Sequence, residues 1–379
     1  MLHPIFLLPF ILLLFLLLWE DSLKPKQTRY ILLFVFFILF IAAGGRNNVG
    51  ADFPIYKSMY NGGFTLYTTY QDIWKKATFQ PNSMEIEWLY VLINRILYEA
   101  GFPFYTLTFL VAGLILFLTY KIMEKYSDYP SFSFLYFFMP VYFIITCGHM
   151  RQGLGGAIVV YSIHYIFQRK LGKFLFMMFL ALGFHKSTII FLPAYWLVRL
   201  PFNIKHWIIL LIISIALAPF QVYRIFGDAF ASITPQDVSN AYTGYNVDKT
   251  YGNEMKTGFA DIMNVILIII LLLYNKIGEK KVYYYEYFRN LAFFGICLFY
   301  ILRGNQIFAT RLPGVYIGMG FSFIIPGIIA NSSLNIKRQL KLFFFLFFIF
   351  FYFLFVRSNG KKLNFTYDRY NNILWEWLS

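Results

Sequence analysis

The sequence predicts an all-α polytopic integral membrane protein, a single transmembrane domain over residues 1–379 with about twelve spanning helices. Three observations lead there. The chain is 59% hydrophobic and 22% aromatic but only 13% charged, against about a quarter charged in soluble domains, so it cannot wrap one water-facing core. Apolar runs of bilayer-spanning length recur along it, and a helix is the element that satisfies its own backbone inside lipid. The formal net charge of +15 is mostly parcelled out between those runs. That is the distribution membrane topology requires, and it argues against a nucleic-acid partner.

In chain order the runs fall at 4–19, 30–45, 103–121, 131–147, 152–168, 172–184, 187–200, 206–222, 258–275, 287–303, 312–330 and 340–356. The first lacks the basic flank and small-residue cleavage site of a signal peptide and reads as a retained span. The pair over 172–200 is short enough for a tilted hairpin. The Phe-rich "FFFLFFIFFYFLF" at 343–355 reads as a lipid-facing helix. Cys147 and Cys297 both lie at or in apolar runs and suggest neither a disulfide framework nor a thiol metal site.

Alternate loops such as "EDSLKPKQTR", "QRKLGK" and "NIKRQLK" are short and basic, hence cytoplasmic. The remaining segments then face the periplasm or cell exterior: an outer loop over 46–102, a long loop at 223–257 and the tail 357–379. Within the first, "EIEWLYVLINRILYEAG" (85–101) carries apolar residues at helical spacing and reads as an amphipathic helix at the outer surface. The 223–257 loop is too long for a plain connector and suits a lid or binding surface.

The outer face collects Arg46, Asp52, Tyr56, Glu85, Glu87, Arg151, Gln152, His185, Lys186, Arg303, Arg311, Tyr316 and Tyr367. A lone arginine at a helix end is explained by snorkelling, a surface tyrosine by the aromatic belt. Four arginines on the side where basic residues are disfavoured call for an anionic ligand, and a planar guanidinium suits phosphate oxygens. "CGHMRQGLGGA" (147–157) is the clearest case, an arginine and three glycines where two apolar runs meet. There Arg151 reads as a phosphate hook, with helix N-termini near Gln152 and Lys186 adding donors. No metal-ligand cluster, nucleotide loop or Ser/His/Asp motif is present in the sequence. No metal or cofactor is therefore expected, and the base must come from His185, Asp52 or Glu85. Trp74, Tyr242, Tyr245 and Tyr251 add aromatic faces in the outer loops.

These motifs have a relative. "GADFPIY" (50–56), "EIEWLY", "RQGLGGAIVVYSIHYIFQRKLGKF", "FHKSTIIFLP" and "TRLPGVY" (310–316), in that order, resemble the EpsG-type family of bacterial polysaccharide polymerases, which are similar in function to the Wzy O-antigen and capsule polymerases. "RQGLGGA" departs from the family's alanine-rich R-Q-x-x-A pattern. The resemblance implies a glycosyltransferase C-like membrane fold and metal-independent, inverting transfer between undecaprenyl-pyrophosphate-linked oligosaccharides at the outer leaflet of the bacterial inner membrane. Membrane lipid and a chain-length regulator are the other implied partners. It places Asp52, Arg151 with Gln152, His185, and Arg311 with Tyr316 on the family's motifs. On this reading His185 is the base, Asp52 orients substrate and Arg151 stabilises the leaving group. Arg46, Tyr56, Glu85, Gln152, Lys186, Arg303, Arg311 and Tyr316 bind substrate. A transporter or flippase of lipid-linked sugars would instead spread charge through the midplane and show internal repeats. An outer-leaflet ligase or acyltransferase would share the basic mouth.

Overall fold

The computed structural model describes residues 2–50, 52–62, 86–233, 242–244, 246, 252–359 and 367–378. Among them every regular element is helical. Among the described residues five helices are long and apolar enough to cross a membrane, or up to seven if each of two bent pairs is one span. The chain divides into two compact units, Met1–Ile189 with Ser332–Ser379, and Ile190–Asn331.

The first unit opens with α1 (Pro4–Trp19), α2 (Pro25–Gly44), α3 (Phe53–Asn61), α4 (Trp88–Glu99) and α5 (Phe104–Tyr126). Then come α6 (Pro130–Tyr136), a π-helical segment (Phe137–Gly148), α7 (Met150–Phe167) and α8 (Leu171–Leu182). The expected run at 131–147 is not straight. It bends by 60°, and Met139, at φ −122 and ψ 104, has the extended backbone that a following proline imposes. The 187–200 run divides into a 3-10 helix (Lys186–Phe191) and the single turn α9 (Ala194–Leu197). Pro193 stands at the break, where its missing N–H interrupts helix hydrogen bonding.

The second unit continues with α10 (Ile204–Leu217), α11 (Val222–Ile233), α12 (Phe259–Leu273), α13 (Asn275–Lys281) and α14 (Tyr285–Ile301), then α15 (Gln306–Arg311), α16 (Gly314–Met319) and α17 (Ile325–Asn331). Its core is pinned by Asn290. That side chain accepts from the Trp207 indole N–H at 2.8 Å and donates to the Leu200 carbonyl at 3.0 Å, so the buried amide is satisfied on both sides.

The chain returns to the first unit as α18 (Leu334–Asn359) and α19 (Ile373–Leu378). The Phe-rich run is two-faced. Phe344, Phe348 and Phe351 are buried, with Phe344 and Phe348 edge-on to Phe132, while Phe343, Phe350 and Phe353 are exposed. Only one face is left for lipid, because the other fills the core at helical spacing.

Residues 367–373 form a strap over the turn that follows α2. The Tyr367 carbonyl accepts from His3 N–H at 3.0 Å, and its hydroxyl donates to the Phe143 carbonyl at 2.7 Å. Tyr370 donates to Ala42 at 2.9 Å, Asn372 to Ile41 at 3.1 Å, and Ile373 N–H to Gly45 at 2.8 Å. A single antiparallel bridge joins Asn372 to Arg46.

Candidate functional site

In the first unit, several expected site residues meet where the turn before α3, the start of α4, the junction before α7 and the turn after α8 come together. Gly50 makes the approach possible. It sits at φ +101, and a Cβ there would lie 2.4 Å from the Cys147 carbonyl oxygen. Only glycine satisfies both the left-handed backbone and the contact. The turn therefore lies directly on residues 147–148 and delivers Asp52, the residue preceding α3, to His149. The Asp52 carboxylate is 3.8 Å from His149 Nε2, with both side chains part-exposed.

His149 bridges the π-helical segment and α7. Its Nδ1 lies 2.7 Å from the Ile144 carbonyl. A carbonyl only accepts, so Nδ1 carries the proton there. His185 is held the other way: the Ser187 backbone N–H donates to its Nδ1 at 3.3 Å, and the Ser187 hydroxyl lies 2.7 Å from the same nitrogen. The neutral His185 ring thus has its proton on Nε2.

Arg151, in the first turn of α7, is largely but not fully buried, and its Nη1 donates to Glu87 at 2.6 Å. The other Glu87 oxygen accepts the Lys186 backbone N–H at 3.1 Å, at the start of the 3-10 helix. One carboxylate thus ties together α4, α7 and the turn after α8. Glu87 is thus a partner of Arg151 to which sequence reasoning gave no role. Tyr56 is buried beside the pair, 5.9 Å from Tyr90 ring to ring. Burial pushes its hydroxyl up to about 12, Arg151 draws it down, and Asp52 pushes it up. Gln152 is half-buried on the next position of α7.

The glycines beside Arg151 serve packing. A Cβ at Gly155 would come 2.9 Å from Thr188 and 3.2 Å from the Ala181 carbonyl, and at Gly153 2.8 Å from the Ile145 carbonyl. Gly155 lets α7 close onto the turn that carries His185, and Gly153 lets it close onto the π-helical segment.

Arg46 is fully buried. It donates to the Ala43 carbonyl and lies 5.7 Å over the Phe53 ring. Glu85, Trp74, Tyr245 and Tyr251 lie outside the described residues. The amphipathic helix expected at 85–101 is α4, and it buries Tyr90, Val91, Asn94 and Arg95 while exposing Ile96. Asn94 and Arg95, polar residues at its middle, therefore face protein.

Three expected site residues belong to the second unit. Arg303 forms a bidentate pair with Asp261 and donates to Thr257 at 3.1 Å. Arg311 ends α15 half-buried. Tyr316 is fully buried, its hydroxyl donating to the Ile190 carbonyl at 2.6 Å. Tyr242 stacks on Phe308 at 5.9 Å. Both cysteines are free and buried. No group of three or more His, Cys, Asp or Glu that could hold a metal occurs among the described residues.

No curated protein and no solved structure matches the chain. A family profile does: that of the EpsG family, over residues 29–372, from the first half of α2 to the strap. A match of that extent takes in both units and every site residue named above, and it establishes that the chain belongs to the EpsG family, the EpsG-type polysaccharide polymerases.

Proposed function

We propose that the protein is a Wzy-like polysaccharide polymerase, joining undecaprenyl-pyrophosphate-linked oligosaccharide repeat units at the outer leaflet of the bacterial inner membrane. The family match over 29–372 carries this reading. In it the chain folds as a glycosyltransferase C-like protein with about twelve membrane-embedded segments, and the Asp52–His149–Arg151–His185 neighbourhood faces the periplasm. A chain-length regulator is its partner.

The chemistry suits that neighbourhood. A lipid diphosphate leaves readily once its charge is met by preorganised cationic donors. The acceptor hydroxyl loses its proton only as the new bond forms, which a positioned imidazole or carboxylate assists. Two lipid-tethered substrates held in line supply much of the remaining barrier reduction. Transfer is metal-independent on this reading and uses no cofactor.

The test is the full chain, purified into lipid nanodiscs and supplied with lipid-linked repeat unit. A ladder of lengthening lipid-linked chains is the expected product. Movement of substrate across vesicles with no new glycosidic bond would favour a flippase. A single transfer onto a different acceptor would favour a ligase.

A further inference from the structure

We propose that His149 is the general base of the transfer, with Asp52 holding a second hydroxyl of the same acceptor sugar. The inference rests on the polymerase reading and adds the residue that takes the proton.

Two histidines border the site, and their hydrogen bonds place their protons oppositely. His185 accepts the Ser187 backbone N–H at Nδ1, so its neutral ring can only donate from Nε2. It is a hydrogen-bond donor, suited to a phosphate oxygen. His149 gives its Nδ1 proton to the Ile144 carbonyl, so its Nε2 carries the free lone pair. That nitrogen is the basic one, and the turn held by Gly50 sets it 3.8 Å from Asp52. The spacing exceeds a direct hydrogen bond. It leaves both acceptors available to a molecule that brings donors, and a sugar with adjacent hydroxyls is such a molecule. The ring is part-exposed, so substrate can reach it.

The step balances. The acceptor oxygen forms a bond to the donor sugar's anomeric carbon while the bond from that carbon to the phosphate oxygen breaks. The electron pair leaves with the lipid diphosphate. The hydroxyl proton passes to His149 Nε2, and the Nδ1–H bond to Ile144 steadies the imidazolium that results.

The test uses full-length protein in nanodiscs with lipid-linked repeat unit. In His149→Asn the side-chain amide can still donate to Ile144 while the basic nitrogen is gone. Its kcat is expected to fall about a hundred-fold or more with KM little changed, whereas Asp52→Asn should chiefly raise KM. Imidazole added to His149→Ala is expected to restore part of the lost turnover, a rescue that a purely structural role would not give. His149→Asn working within a few-fold of wild type, or a His149→Ala deficit that imidazole does not relieve, overturns the assignment. Wild-type protein that forms no polymer overturns the polymerase reading itself.

Discussion

Each unit ties an arginine to a carboxylate that also receives a backbone N–H, and the two ties differ in reach. In the second unit Asp261 pairs with Arg303 and caps its own helix, accepting Gly258 N–H at 2.9 Å. In the first, Glu87 pairs with Arg151, 64 residues away, and accepts Lys186 N–H, 99 residues away. The local tie fastens one helix start to one neighbour. The distant tie fixes three separate segments around the two histidines. It is also drier, with side-chain exposures of 12% and 7% against 14% and 13%. Less water is left to screen the charges if a partner is lost, and geometry at the candidate site depends on a single carboxylate.

That difference is open to measurement by unfolding the detergent-solubilised protein. Glu87→Ala is expected to have the largest effect, about 3–5 kcal/mol, since it strands a buried guanidinium and releases the 3-10 helix start. Gly155→Ala acts on the same region through packing. Its methyl group meets a backbone carbonyl that cannot swing aside, and the expected loss is about 2 kcal/mol. Asp261→Ala should cost less, about 1–2 kcal/mol, chiefly the value of a helix cap with a partly screened pair. A loss at Asp261 equal to that at Glu87 would remove the distinction. Gly156→Ala is the smallest: a Cβ there would meet nothing within 4 Å beyond its own stretch of helix, and helix propensity predicts a gain of under about 1 kcal/mol.

Long helices were legible in the sequence because an unbroken apolar run has one solution in lipid. The runs at 4–19, 30–45, 103–121 and 340–356 correspond to α1, α2, α5 and α18. Interrupted ones were not: Pro140 and Pro193 redirect backbone locally, and an average over a window cannot register that. Of the site, Asp52, Arg151 and His185 stood out through their motifs. Glu87 is only one of the outer-face residues in the sequence, since its two partners come from segments remote in sequence. His149 was missed for a related reason. Between two apolar runs it reads as a helix-end residue, and its own bond to Ile144 agrees with that. Only the positive φ at Gly50, which seats Asp52 opposite, gives its second nitrogen a role.

The strap over the turn after α2 bears on how the molecule is made. Asn372 follows its partner Ile41 by 331 residues, on the order of 15–65 s of ribosome travel. For that interval the turn carrying Arg46 is already synthesised but lacks the tyrosines and asparagine that hold it. A nascent chain halted before Tyr367 would have inserted most of its helices and still present this corner unfastened. Completion of the corner therefore waits on residues 367–373, and a newly made copy fastens this turn long after the turn itself has been made.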